Sequence, residues 1–383
     1  MTHGAFVMVT TSYPMAADGR EAAGSFVADL AEELANAMPV RVVAPGNDNG
    51  IEGNDALRIY RYRAPEKPLS TLKPWRPGDL ASLWSVLAGG QRATHAAIAE
   101  GPVAQLLALW ALPCGYWARA AAARAGLRYS VWTLGSDIWT LGRIPIVRGQ
   151  LARVLMGAEC CYSDGLQLAK DTRRIGGRGV NFLPSTRRID LQRAKALSTK
   201  APFNLLFLGR WHPNKGVDLM LEALELLSEE DWSRVSTIEI CGGGPMEEEV
   251  HRGVERLREA RRPVTLRGFL DKRQAEEAML RADFVMIPSR IESIPVIFSD
   301  AMKLRCPVIA MPVGDLPLLM RQHDCGVCAR AMSADAFATA LSEALKTSPA
   351  SFSGGTAKAA LEFDLKHVAE TLACSRTRAE ESA

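Results

Sequence analysis

The constraint that decides most about this chain is its alternation of short β-branched runs with long amphipathic stretches. That pattern fits parallel sheets carrying helices on both faces and fits little else. Phe6–Thr10, Val40–Ala44, Tyr129–Leu134 and Glu159–Ser163 read as strands of a first half. Leu205–Gly209, Thr237–Cys241, Val264–Leu266, Phe284–Ile287 and Val308–Met311 read as a second, cleaner set. At 383 residues the chain exceeds one ordinary core, so two doubly wound, Rossmann-like domains facing a cleft are expected. The first should occupy residues 1–190 and the second 201–350, with a charged, proline-bearing linker from Leu183 to Pro202 between them.

Composition excludes several classes. Basic residues number 46 and acidic ones 43, too even a balance for a nucleic-acid binder. The first 190 residues hold 21 basic and 16 acidic side chains, or +5, which leaves −2 for the remainder. A basic first half suits either an anionic surface or a merely solvated face. Eight cysteines without an export-like start point to a reducing, cytoplasmic setting. Cys325-Gly-Val-Cys328 has metal-like spacing, but no second pair completes a zinc site, and it reads as structural. Val103–Ala118 is the most apolar stretch, too short to span a bilayer, and reads as strand, turn and helix. Between Ala64 and Gly90, four prolines with Trp75 and Trp84 fit an acceptor loop with aromatic membrane contacts or a packed surface connection.

Chemistry concentrates in two strand-to-helix turns. In Pro288-Ser-Arg-Ile-Glu292-Ser-Ile-Pro-Val-Ile-Phe-Ser-Asp300, a strand ends at Pro288 and Glu292 sits in a tight loop. Ser293, Ile294, Pro295 and Val296 then open a helix whose first N–H groups suit a pyrophosphate or sugar oxygens. Glu292 and Asp300 would accept hydrogen bonds from vicinal hydroxyls. In Leu205-Leu-Phe-Leu-Gly209-Arg210-Trp-His-Pro-Asn-Lys215-Gly216, Arg210 and Lys215 lie across a turn, spaced to converge on a diphosphate. No two aspartates stand in an Asp-x-Asp relation, so neither a metal ion nor any other cofactor is expected. The turn Cys241-Gly-Gly-Gly-Pro-Met-Glu247 is geometry or phosphate binding, and backbone near Gly24 could approach a donor. A nicotinamide-dependent dehydrogenase is disfavoured because no Gly-x-Gly-x-x-Gly follows the first strand.

Together these residues resemble the retaining glycosyltransferases of family 4, whose fold is called GT-B. The family's Gly-Arg-x4-Lys-Gly is met by Gly209, Arg210, Lys215 and Gly216, and its Glu-x7-Glu by Glu292 but with Asp300 at the end. The resemblance implies that Arg210 and Lys215 bind the diphosphate, Glu292 the transferred sugar, Asp300 the ribose, and backbone near Leu270 the base. It implies a nucleotide-sugar donor, a saccharide or lipid-linked acceptor, and contact with the inner face of a membrane. Trp110–Gly115 and Thr133-Leu-Gly-Ser-Asp137 are similar to acceptor-side motifs, with Leu109 and Leu134 where the family has histidines. Asp137 orients the acceptor or caps a turn, and a catalytically silent member is the alternative to an enzyme. Arg305 stands where the family ends a helix with glycine, and Asp315 and Leu318 replace a glycine and a glutamate. The stretch 361–383 is similar to a terminal helix returning to the first domain.

Overall fold

A computed structural model describes residues 4–15, 24–65 and 76–374. Trp75, Pro68 and Pro74 lie outside the described residues. Contacts divide the chain into two units: residues to Ser185 together with those from Leu365 on, and Thr186–Asp364.

The first unit is built on strands β1 (Ala5–Val9), β2 (Val40–Gly46), β3 (Gly50–Gly53), β4 (Leu57–Arg63), β5 (Val103–Leu109), β6 (Ser130–Thr133), β7 (Cys161–Ser163) and β8 (Asn181–Phe182). They form one sheet in the order β3-β4-β2-β1-β5-β6-β7-β8. Every pairing is parallel except β3 with β4. Helices α1 (Ser25–Ala35), α2 (Pro77–Ala99), α3 (Cys114–Ala125), α4 (Ser136–Trp139), α5 (Pro145–Gly157) and α6 (Leu166–Gly176) connect them. β1 is buried throughout, as a central parallel strand covered on both faces must be. Side chains of α2, α3 and α5 share one core, around Val7, Leu106, Trp117 and Val154. Those of α1 share another, around Phe6, Met8, Leu30 and Leu107.

The second unit holds β9 (Phe203–Leu208), β10 (Val235–Cys241), β11 (Val264–Arg267), β12 (Phe284–Ile287), β13 (Val308–Ala310) and β14 (Gly326–Cys328). All pairings are parallel, in the order β11-β10-β9-β12-β13-β14. Its helices are α7 (Val217–Glu225), α8 (Glu229–Ser233), α9 (Glu247–Glu259), α10 (Lys272–Arg281), α11 (Val296–Lys303), α12 (Leu316–His323), α13 (Ala334–Lys346) and α14 (Ser353–Leu361). β9 is the first strand of this sheet and has β10 on one side and β12 on the other, so connections leave it in opposite directions. Such a switch of strand order opens a crevice at the carboxyl ends of the two strands that flank it. The last described helix, α15 (Leu365–Cys374), packs on α1 in the first unit through Leu365, Val368 and Leu372.

The stretch 183–202 has no helix or strand, yet from Thr186 on it is tied to the second unit. Arg193 donates to the carbonyls of Met279, Leu280, Ala282 and Leu304 at 2.8–3.2 Å. The Glu276 carboxylate accepts from the N–H groups of Asp190 and Leu191, and Asp283 accepts from that of Ser198. α14 likewise stays with this unit, packed on α11, and Phe298 of α11 meets Phe363, just beyond α14, edge to face at 5.8 Å. Residues 186–202 and 351–364 therefore belong to the second body, wider than the span 201–350 read from sequence.

Candidate active site

The two chemical motifs leave β9 and β12 at their adjacent carboxyl ends, and the backbone locks their loops together. Gly216, at the start of α7, has φ 67°, and a side chain there would overlap the Pro288 carbonyl. Only glycine permits both the left-handed turn and that approach. The Arg290 N–H donates to Asn214 O at 2.8 Å. The Arg290 guanidinium donates to Pro213 O at 2.8 Å and grips both carboxylate oxygens of Asp218 at 2.7 and 2.6 Å. Burial alone would raise the Asp218 pKa, but the hydrogen bonds and charge of Arg290 outweigh it and hold it below the ordinary value.

This seam brings Lys215 Nζ onto Glu292 Oε1 as a half-buried ion pair. Arg210 is exposed on the same loop. Between the two cations stands His212, whose Nδ1 accepts from the Asn214 N–H at 3.2 Å. Burial, then the charges of Arg210 and Lys215, push its pKa down, so it is neutral at pH 7. Two cations, one carboxylate and one neutral imidazole thus share one small region at the switch point. The motif spacing had led to Lys215 and Glu292; His212 and Arg290 carried no signal beyond their places in the same loops.

The glycine-rich turn acts on the Arg210 loop. Gly242 has φ 143° and sits where a side chain would overlap Gly209 O. Gly209 N–H donates to Cys241 O, and Trp211 N–H to Gly243 O at 2.8 Å. These glycines serve close packing of backbone on backbone. Beyond β11, Leu270 is half-buried, while the ring of the preceding Phe269, 59% exposed, lies against Gly243.

Pro295 is the residue before the first turn of α11, and Val296 begins it. Ser293 and Ile294 are buried, and the Ser293 hydroxyl has no hydrogen-bond partner. The Ser293 carbonyl accepts from Asp315 N–H at 3.1 Å, and Gly314, φ 53°, lies too close to it for any side chain. Replacing glycine by Asp315 therefore leaves the turn intact, because the position that needs glycine is its neighbour.

Three further expected site residues are bonded to or packed against protein groups. Asp300 is 1% exposed, and its Oδ2 is held by Arg187, with Nε at 2.9 Å and Nη2 closer still. The carboxylate faces a guanidinium from the segment after the first unit and not an open crevice. Asp137 is buried: Oδ2 accepts from Ala111 N–H at 2.7 Å, and Oδ1 from Leu134 and Ile138 N–H at 3.3 and 3.1 Å. It caps the turn from β6 into α4, and of the two roles left open the cap is the one observed. Burial raises its pKa from 3.8 to about 6 against the lowering effect of those bonds. Gly24 precedes α1 with φ 84°, its Cα packed on the backbone of Ser12 and Tyr13, so its need for glycine is steric. Leu109 and Leu134 belong to the apolar core of the first unit.

Among the described residues no three His, Cys, Asp or Glu side chains converge as metal ligands. Cys325 and Cys328 are free thiols flanking and ending β14.

Residues 202–347, within the second unit, carry a domain of the family described as Glycosyl transferases group 1. The D-inositol 3-phosphate glycosyltransferase of Corynebacterium aurimucosum is 31% identical over 178 residues, which are 45% of this chain. The chain matches only 41% of that relative's length. Over 99% of its length it superposes on the sucrose-phosphate synthase of Thermosynechococcus elongatus, covering 100% of that chain, with TM-score 0.75 and 18% identity. It superposes likewise on Anabaena Alr3699/HepE in complex with UDP-glucose, at TM-score 0.68 and 15% identity over 98% of this chain and 100% of that one. The fold is therefore GT-B, two doubly wound α/β units in one chain.

Proposed function

We propose that this chain, whose second unit carries a glycosyl transferases group 1 domain, moves a hexose-type sugar from a nucleoside diphosphate sugar to a saccharide or lipid-linked acceptor, with retention and without a metal. The observation that carries the reading is the Lys215–Glu292 pair beside Arg210 at the β9/β12 switch.

A diphosphate entering there competes with Glu292 for Lys215. Lys215 and Arg210 neutralise the phosphate oxygens, and Glu292, released, accepts hydrogen bonds from sugar hydroxyls. As the sugar–phosphate bond breaks, negative charge grows on the leaving oxygen, where two fixed cations stabilise the transition state more than the ground state. The leaving phosphate takes the proton of the acceptor hydroxyl that attacks on the same face. No side-chain base is then required, consistent with leucines at positions 109 and 134 and with Asp137 spent as a cap. The solved UDP-glucose complex of a structural neighbour makes uridine diphosphate sugars the first donors to try.

The leucines at positions 109 and 134, packed in the apolar core of the first unit where the family has histidines, favour a second reading, a protein that binds the nucleotide sugar or a partner without transferring sugar. Incubation with a panel of nucleotide sugars separates the two. The proposal expects nucleoside diphosphate release that a chelator leaves unchanged and Lys215→Ala abolishes. A metal requirement, or full activity of Lys215→Ala, would refute it. Among the described residues no helix is long and apolar enough to cross a membrane, and we place the reaction at the cytoplasmic face.

A further inference from the structure

In the first unit α3 and α5 run back from the carboxyl ends of the strands and finish at the amino ends of β6 and β7, where two cavities meet at Glu159. One, of about 500 Å³, is lined by Arg119, Ala122, Leu127, Arg128, Tyr129 and Glu159 among others. The other, of about 570 Å³, is walled beyond Glu159 by Gly176, Gly177 and Gly179. Both fall in the range that holds a small organic ligand, roughly 300–1,000 Å³.

The ordinary work of an arginine in such a place is to cap the carbonyls that a helix leaves unpaired at its end. At the end of α5 that work is already done. The Tyr129 hydroxyl donates to Val154 O at 2.7 Å and the Cys161 thiol to Leu155 O at 3.6 Å. The Arg178 guanidinium, from the turn after α6, donates to Met156 O at 3.4 Å, to Glu159 O at 2.6 Å and to Ala158 O. The larger cavity therefore meets an arginine spent on backbone.

Arg119 and Arg128, in the smaller cavity, are left over from that work. Among the described residues Arg119 makes no hydrogen bond or ion pair, and its Nε lies 3.7 Å from where a Cβ on Gly157 would stand. Arg128 holds Glu159 Oε1 at 2.8 Å, while among the described residues Glu159 Oε2 accepts nothing. Two guanidinium groups thus close on the last residues of α5 with one carboxylate between them. The sum is one positive charge in excess over a floor of Ala122, Leu127 and Ala158.

From this arrangement we infer that the cavity at the amino ends of β6 and β7 binds a small hydroxylated organic phosphate, of the sugar phosphate class. A tetrahedral phosphate offers oxygens to both guanidinium forks at once, Glu159 Oε2 accepts from a ligand hydroxyl, and the carbon face of the ligand lies on the alanine floor. A planar carboxylate occupies one fork only. An uncharged apolar ligand would take water from three charged groups and return no hydrogen bond. The four residues of β6, about 13 Å of strand, separate this cavity from the turn that Asp137 caps, so it lies at the opposite end of the sheet from the acceptor-side motifs. The inference stands whether or not the chain transfers sugar.

The test is calorimetric titration of the full chain with ribose 5-phosphate, ribose and inorganic phosphate. Ribose 5-phosphate should bind, less tightly as salt rises, and about tenfold or more tighter than either fragment. Arg119→Gln and Arg128→Gln should each weaken it by about tenfold or more. Ala123→Trp, which fills the cavity and leaves its charges in place, should abolish binding, with circular dichroism showing all three variants folded. Lys215→Ala, in the donor loops of the second unit, should bind ribose 5-phosphate as wild type does. Absence of binding at millimolar concentration overturns the inference, as does inorganic phosphate binding as tightly as the sugar phosphate. Undiminished binding by the three folded cavity variants also overturns it, and loss of binding in Lys215→Ala alone assigns the ligand to the donor loops instead. The titration needs no turnover, so its failure is distinguishable from failure of the transferase reading, which nucleotide-sugar turnover measures separately.

Discussion

Arg290 is where the seam between the two donor loops can be cut without touching either proposed ligand contact. Arg290→Ala removes two charge-assisted bonds to Asp218 and one to Pro213 O. Bonds of this kind contribute about 1.5–3 kcal/mol each when buried. Here the pair is half-exposed, so solvent discounts the sum and about 1–2 kcal/mol of stability is the reasonable loss. The effect on catalysis should be larger. Glu292 lies two residues beyond Arg290, and the loop would keep its Arg290 N–H to Asn214 O bond and the Lys215–Glu292 ion pair as its hydrogen-bonded links to the Lys215 loop. A displacement of about 1 Å in a group that orients substrate costs roughly 10²-fold in rate. The variant should therefore melt a few degrees lower, bind the nucleoside diphosphate within a few-fold of wild type, and turn over donor ten- to a hundredfold more slowly. Arg290→Lys, a point charge in place of a fork, should fall between. Melting curves, calorimetry with the nucleotide and a coupled diphosphate-release assay give the three numbers. A folded Arg290→Ala with undiminished turnover would refute the idea that this clamp positions the site.

Other positions give independent checks. Arg305 follows α11 with φ 56° and an exposed side chain; Arg305→Gly should stabilise by about 0.5–1 kcal/mol in denaturant titration, relief of the left-handed strain outweighing added unfolded-state entropy. A loss of stability would show the conformation is not strained. Asp137 has a raised folded pKa of about 6 against an ordinary 3.8. Its contribution is therefore favourable at low pH and is lost as pH rises through that window, by up to ~3 kcal/mol. Asp137→Asn should flatten the stability profile between those values while leaving nucleotide affinity unchanged, and a profile identical to wild type would contradict it. Asp300→Asn, which leaves the partly buried Arg187 beside a neutral partner, should lower stability by about 2–4 kcal/mol, with nucleotide affinity changed less. The reverse ranking would restore Asp300 as a ligand contact.

Much of the fold was legible because strands buried on both faces are written in apolar residues alone. Phe284–Ile287 has the same bounds in sequence and structure. β4, Leu-Arg-Ile-Tyr-Arg-Tyr-Arg, escaped notice because arginine alternates with its apolar residues, and β3, Gly-Ile-Glu-Gly, because half of it is glycine. β14 lay hidden under a cysteine spacing. The meeting of Lys215 with Glu292 could be anticipated because both lie a fixed few residues past strand ends that the topology makes neighbours. Arg187 against Asp300 could not, since that pair spans 113 residues and depends on how an irregular segment is tied down. Nor could Asp137 be resolved, because a carboxylate after a strand serves equally as a cap or as a ligand until its N–H partners are seen.

The central claim is that Arg210, Lys215 and Glu292 act on one diphosphate sugar. Calorimetric titration of the nucleoside diphosphate into wild type, Arg210→Ala and Lys215→Ala tests it most directly. Each alanine should weaken binding by tenfold or more, about 1.4 kcal/mol, with both proteins folded. Affinity unchanged in both would mean that the two cations serve something other than a diphosphate.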